Sequence, residues 1–253
     1  RLAWAAGEIS RWFPAAARDL PWRRVRTPWR SLVSEFMLQQ TQVSRVAERF
    51  EPFLSDFPSP KAMAEAGEDA VLAKWSGMGY YRRARLLHAA AVSIVEHHGG
   101  VVPEDAATLE TLPGVGRYTA GAVASIACGQ SAPIVDGNVD RVFARLTGDA
   151  SVPGAKDREA RRWQQAGVFV DAADQPDVAN EGLMELGALV CQPKAAQCLI
   201  CPLSARCCAL QAGKVGEIPP PKPRPKKKLI EMQVGVVWRG KKLLLSRRPD
   251  TGL

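Results

Sequence analysis

The sequence predicts a mainly α-helical protein, followed by a basic proline-rich linker and the start of a β domain. Three observations carry that prediction. Apolar residues recur at helical spacing: Leu32, Phe36, Val43, Val46 and Phe50 lie 4, 7, 3 and 4 residues apart. No stretch up to about residue 213 alternates convincingly as a strand. Composition then changes abruptly at Ile218–Lys228, where five prolines and five basic residues share eleven positions, a composition that cannot form a helix.

Each element follows in order. Ser31–Phe50 is the first clear helical run, and Leu72–Trp75 precedes a Gly-Met-Gly break after which Arg82–His97 resumes the pattern. Asp105–Leu112 is a short helix ending at Pro113, and Tyr118–Ala127 is a longer one. Asp136–Thr147, Glu159–Phe169 and Val178–Val190 continue in the same manner. Beyond the linker over 214–228, Glu231–Trp238 and Lys242–Leu245 flank an Arg-Gly turn and read as a β-hairpin opening a domain over 229–253. The chain starts at Arg1 without Met and stops just after an apolar run, so it is expected to be part of a longer protein.

The 253 residues are 46% hydrophobic, enough for a sizeable core. The net charge of +8 invites a nucleic-acid reading, but residues 214–228 supply +5 and 229–253 supply +3. The helical body is therefore neutral overall, and any polyanion-binding face on it must come from local sorting of charge. Candidates are Arg18, Arg23, Arg24, Arg26 and Arg30, and the segment Lys74–Arg85. No run of 18 apolar residues appears and the N-terminus lacks the apolar core of a signal peptide, so no membrane is expected and the cytoplasm is the predicted location.

Leu112-Pro113-Gly114-Val115-Gly116 joins two helices. Proline stops the first, and glycine permits tight backbone geometry. Unpaired N–H groups of Val115 and Gly116 at the start of the next helix would make an anion site that a phosphate can approach. The same residues also suit an ordinary αα-hairpin whose glycines only pack closely. Two carboxylates stand out. Asp136 sits in a Val-Asp-Gly-Asn turn, where it would cap a helix. Glu35, near the start of a helix, is the only ionisable residue from Ser31 to Ser44; pointed into a cleft, it would have its pKa raised by desolvation. Four cysteines follow the pattern Cys191-x6-Cys198-x2-Cys201-x5-Cys207, a clustering that argues for metal ligation by soft sulfur, with Zn and iron–sulfur both open. Cys128, on an apolar helix, reads as a small buried hydrophobe.

The hairpin, the downstream Pro133-Ile134-Val135-Asp136-Gly137-Asn138-Val139 and the block Ser34-Glu35-Phe36-Met37-Leu38-Gln39-Gln40-Thr41-Gln42-Val43 together resemble the helix-hairpin-helix DNA glycosylases, and among them the adenine DNA glycosylases. The resemblance covers roughly residues 18–213. It implies a catalytic domain over 1–213, with a six-helix and hairpin part over 18–130 and an iron–sulfur part formed by 1–17 with 131–213. The cysteine spacing is similar to the family's [4Fe–4S] loop, with Cys191, Cys198, Cys201 and Cys207 as ligands. The tail is similar to the first hairpin of a truncated Nudix-like domain.

The implied activity is monofunctional hydrolysis of the N-glycosidic bond of adenine opposite 8-oxoguanine or guanine, after base flipping from duplex DNA. By resemblance, Glu35 protonates adenine N7 and helps activate water, while Asp136 stays ionised beside the oxocarbenium-like sugar. Asn138 and Tyr118 orient them. Lyase relatives carry a Lys where this chain has Tyr118, so no amine is available there for a Schiff base. Gln40 matches the residue inserted into the helical stack and Tyr80 the aromatic wedge. Arg18, Leu20, Trp22, Arg23 and Glu181 resemble the wall of the adenine pocket, and Gly114, Val115 and Gly116 the phosphate grip. Some family members carry a Lys at Asp140 that crosslinks to opened DNA; its absence predicts little trapping. A monomer is expected, nucleoid-associated if bacterial. The rivals are a glycosylase/lyase for oxidised pyrimidines and a non-catalytic DNA-binding module.

Overall fold

A computed structural model describes residues 1–221, 229, 231 and 235–245. The chain divides into two units, 1–222 and 223–253. In the described residues of the first, thirteen α-helices run in order: α1 (Leu2–Ala16), α2 (Pro21–Arg24), α3 (Pro28–Leu38), α4 (Val43–Asp56), α5 (Pro60–Ala66), α6 (Glu68–Lys74), α7 (Arg82–His98), α8 (Ala106–Leu109), α9 (Arg117–Ile126), α10 (Gly137–Thr147), α11 (Lys156–Asp171), α12 (Pro176–Leu189) and α13 (Cys208–Gln211). No helix among the described residues is long and apolar enough to cross a membrane.

The helices start where the sequence supplies caps. The Thr27 side chain accepts from Arg30 N ahead of Pro28, Ser59 does the same for α5, and Asp136 caps α10. Two buried apolar cores result. One joins the inner faces of α3 to α9 around Phe36, Phe50, Trp75 and Leu87; the other joins α1, α10, α11 and α12 around Ile9, Phe143, Phe169 and Leu186. Burying each such side chain contributes roughly 1.5–3 kcal/mol. Helix α9 is the shared wall. Its Ala120, Val123 and Ala124 face the first core, while Ala122 faces the second and Tyr118 and Ile126 pack against it.

Three expectations are corrected here. The periodic run Ser31–Phe50 is two helices, α3 and α4, broken at Gln40, which takes a left-handed φ of 54°. Apolar spacing continues across the break because both helices pack on one core, so periodicity could not show it. The linker expected over 214–228 begins as folded chain: Lys214 N–H donates to the Ala209 carbonyl, and Ile218 is buried against Ala144 and Ala209. Residues 222–228 lie outside the described residues. The Nudix-like domain is overturned as well. The described part of the second unit holds only an antiparallel pair, β1 (Trp238–Arg239) with β2 (Lys242–Leu243), in register Trp238↔Leu243 and Arg239↔Lys242. Both strands are exposed, so they enclose no core, and a lone two-stranded hairpin falls short of a domain.

Candidate active site

A cavity of about 380 Å³ opens where the two cores meet. Its lining brings together Arg18, Leu20, Trp22, Arg23, Glu35, Gln40, Tyr118, Asp136 and Asn138, with Leu38, Met184 and Glu185. The volume falls in the range of small-molecule sites, roughly 300–1,000 Å³.

Glu35 lies in the last turn of α3, not near its start, because the helix begins at Pro28. That end of a helix dipole carries negative charge and disfavours a carboxylate. The side chain is buried, and burial raises its pKa from 4.5 to about 7; the neighbouring carboxylates of Asp136 and Glu181 push the same way. A hydrogen bond from the Tyr118 hydroxyl pulls it partway back. That hydroxyl also lies 3.8 Å from Met184 Sδ, and burial holds the phenol well above its usual pKa.

Asp136 is fixed from both oxygens. Oδ1 accepts the Val139 N–H at 2.7 Å as the α10 cap, and Oδ2 accepts Asn138 Nδ2 at 3.0 Å. Asn138 is held in turn: its Oδ1 accepts an Arg141 guanidinium N–H at 2.7 Å, and Arg141 also donates to the carbonyls of Gly187 and Cys191, both at 2.7 Å. The tail of α12 approaches this corner so closely that a Cβ at Gly187 would lie 2.5 Å from Asn138 Cβ. The site therefore contains one carboxyl poised to be a proton donor near neutrality and a second oriented by donors.

The far wall is an ion network. Glu185 is bonded by both sides of Arg18, at 2.8 Å to Nε and 2.8 Å to Nη2, and by Arg23 at 3.1 and 3.2 Å. Burial opposes its ionisation, and the Arg18 and Arg23 bonds overcome this and hold the carboxyl at about 2. Glu181 is buried, pairs with Arg23 at 3.0 Å and with Arg26, and borders a small adjoining cavity shared with Glu35 and Trp22. Its pKa is raised, because burial outweighs the two arginines. Trp22 is braced edge-on against Phe50 at 5.7 Å. Arg24 pairs with Asp19 and Arg30 with Glu51, so all five arginines of this segment have carboxylate partners and do not form a free cationic face.

Two sequence-predicted residues stand out by their backbone conformation. Gln40 and Tyr80 are the only non-glycine residues with positive φ among the described residues, 54° and 46°, and both are exposed. Tyr80 is not part of the cavity lining. In the hairpin, Gly114 has φ 75° and a Cβ there would meet Leu86 Cβ at 2.7 Å, so its own fold requires glycine. Gly116 has an ordinary φ of −95° and open space around it. Val115 differs from expectation: its side chain is buried and its N–H is spent on the Leu112 carbonyl at 3.1 Å. Free donors at this helix start therefore begin at Gly116. Asp140 is bound by Arg158 and Arg162, two buried arginines of α11.

The four cysteines line one small apolar cavity beside Arg145 and Val190. Among the described residues, no three or more Cys, His, Asp or Glu side chains form a group that could hold a metal ion. This overturns the expected [4Fe–4S] cluster. Burial pushes the Cys201 thiol up to about 11 and also raises Cys207. The loop is tied down instead by Arg145, which donates to the carbonyls of Gln192 at 2.7 Å, Pro193 at 3.0 Å and Ile218 at 2.8 Å.

Residues 33–166 match the model of the HhH-GPD superfamily of base excision DNA repair proteins. The chain belongs to that superfamily. Among HhH-GPD members it is similar to the adenine DNA glycosylase of Mycolicibacterium smegmatis, 45% identical over 200 residues, which cover 78% of this chain and 67% of the relative. The human adenine DNA glycosylase is 42% identical over 214 residues, 81% of this chain and 39% of the relative. The chain thus spans about two fifths of the length of the human protein. Among solved structures it is similar to a thermostable thymine-DNA glycosylase, with TM-score 0.75 and 27% identity, covering 82% of this chain and 95% of that one.

Reasoning from sequence missed Glu185, Arg83 and Arg141. For Glu185 a signal existed: Glu181 and Glu185 stand four apart, on one face of a helix, in a chain whose arginine-rich stretch over 18–30 needs carboxylate partners. Arg83 falls within the basic segment Lys74–Arg85, but nothing in the sequence marked it as buried, and nothing singled out Arg141.

Proposed function

We propose that this HhH-GPD member is the helical part of an adenine DNA glycosylase, hydrolysing the N-glycosidic bond of adenine mispaired with 8-oxoguanine or guanine in duplex DNA. The observation that carries the reading is Glu35: a buried carboxyl with pKa about 7, facing a base-sized cavity that also holds Asp136.

In this reading the flipped adenine lies between the apolar walls of Leu20, Trp22 and Met184, with Arg18, Arg23 and Glu181 around its polar edge. Glu35 gives its proton to N7, and the base leaves with the bonding electrons. Asp136, aimed by Val139 N–H and Asn138, faces the positive charge that develops on the sugar. Water then adds to C1′ and returns a proton to Glu35. Tyr118 has no amine with which to form a Schiff base, so the reaction ends at the abasic sugar. Gln40 and Tyr80 enter the helical stack vacated by the base, and Gly116 and the first turn of α9 grip the backbone phosphate.

The test is adenine release under single-turnover conditions with the full-length protein, on duplexes carrying adenine opposite 8-oxoguanine, guanine or thymine. Borohydride trapping and a duplex with an oxidised pyrimidine run alongside. Fast release opposite 8-oxoguanine with little trapping is expected. Tight binding without release would favour the binding-module reading, and cleavage at the oxidised pyrimidine would favour the lyase.

A further inference from the structure

We propose that Arg83 is a positioning residue that locks the Gln40 turn and the Tyr80 turn to each other, so that the two residues enter the duplex as one fixed pair. The proposal rests on the reading of Gln40 and Tyr80 as the residues that enter the helical stack.

Arg83 opens α7 and is buried. Its Nη1 donates to the carbonyls of Phe36 at 2.9 Å, Met37 at 2.8 Å and Gln39, which are the end of α3 and the residue before Gln40. Its Nη2 donates to Thr41 Oγ1 at 2.9 Å, just after Gln40, and to the carbonyls of Met78 at 3.3 Å and Gly79 at 3.2 Å, just before Tyr80. One guanidinium thus brackets both left-handed residues. Its plane also lies over the Trp75 ring at 5.2 Å and the Tyr80 ring at 5.6 Å.

The arrangement answers a physical question. A left-handed φ at a residue with a Cβ is unfavourable and persists only where surroundings over-determine it. The C-terminal carbonyls of α3 are the unpaired acceptors of a helix end, and the chain must reverse there before α4. A planar cation with donors on both branches satisfies these carbonyls and the opposite turn at once, which a lysine ammonium cannot do with three donors at a single point. The guanidinium does so although its Nε, also buried, has no partner among the described residues. An arginine used only to fill space would not leave a buried donor unpaired while crowding six acceptors around its other two nitrogens.

Two measurements on the full-length protein test this, with Arg83→Lys as the variant. The first is amide hydrogen exchange without DNA. Residues 37–43 and 77–83 are expected to exchange faster together, by about tenfold or more, while α10 is unchanged. A change in only one segment, or in neither, overturns the lock. The second is single-turnover adenine release opposite 8-oxoguanine. Arg83→Lys is expected to slow it about tenfold in the parent and less than about twofold when Gln40 and Tyr80 are both Ala. Equal slowing in both backgrounds overturns the role in positioning. If Arg83→Lys loosens the whole fold, Thr41→Val takes its place: it removes one acceptor, keeps the guanidinium, and must shift the same two segments. Failure of the parent to release adenine sinks the proposed function, and the exchange experiment still decides the lock.

Discussion

Replacing Glu35 by Gln tests the site through stability as well as catalysis. Glu35 titrates at about 7 in the folded protein against 4.5 ordinarily, so folding favours its protonated form. A difference of about 2.5 units corresponds to about 3 kcal/mol. The sign follows from the raised value: the contribution is fully present below pH 4.5 and is lost as pH rises through 7. Glu35→Gln keeps the neutral shape at every pH. The variant is therefore expected to gain on the parent by about 3 kcal/mol between pH 4.5 and pH 8.5, because all other titrations are common to both proteins and cancel. Urea unfolding of the two proteins across that range measures this difference directly. A stability gap that stays constant with pH would refute the buried, proton-holding carboxyl. In the same protein the catalytic expectation is loss of adenine release. At pH 7 about half of Glu35 is protonated, against roughly 0.3% for an ordinary glutamate, so the parent's rate should fall above pH 7.

Four further outcomes follow from the same geometry. Tyr118→Phe removes the hydrogen bond that lowers the Glu35 pKa, so the alkaline limb of the pH–rate profile should move upward; a downward shift would contradict the assignment. Glu185→Gln leaves Arg18 and Arg23 without their buried anion and should cost about 3 kcal/mol in urea unfolding at pH 7. Because the Glu185 carboxyl is held at about 2, that stabilisation is present above its ordinary pKa and fades as pH falls below it, so the gap should narrow toward pH 2. Gly187→Ala pushes on Asn138 and should slow the single-turnover step by about tenfold or more with a smaller effect on duplex affinity, since it moves Asp136 rather than the DNA grip. Gly116→Ala meets no atom within 4 Å and should melt like the parent, yet weaken duplex binding several-fold by filling the space a phosphate enters; unchanged binding would remove the hairpin from the interface.

Helical periodicity determined most of the helices by itself, because an amphipathic face is a local property. Asp136 as the cap of α10 was readable locally as well, whereas the short helix expected to run to Leu112 and stop at Pro113 ends already at Leu109. What else failed, apart from the local start of α3 at Thr27-Pro28, were features set by distant neighbours. Glu35 lies at the end of its helix because Pro28 starts it early, and its raised pKa comes from burial between two cores that no local window contains. The break at Gln40 is hidden in a periodicity that a common core preserves, and it is stabilised by Arg83, more than forty residues away. The basic stretch from Arg18 to Arg30 looked like a polyanion site until folding brought α12 and Glu51 against it and neutralised it. The spacing of the cysteines suggested a cluster; folding brings the four to one small apolar cavity, but among the described residues they form no group that could hold a metal ion. Sequence determines local conformation and which chemistry is available; pKa, charge pairing and ligand geometry depend on what packs around a group, and only the tertiary structure decided those.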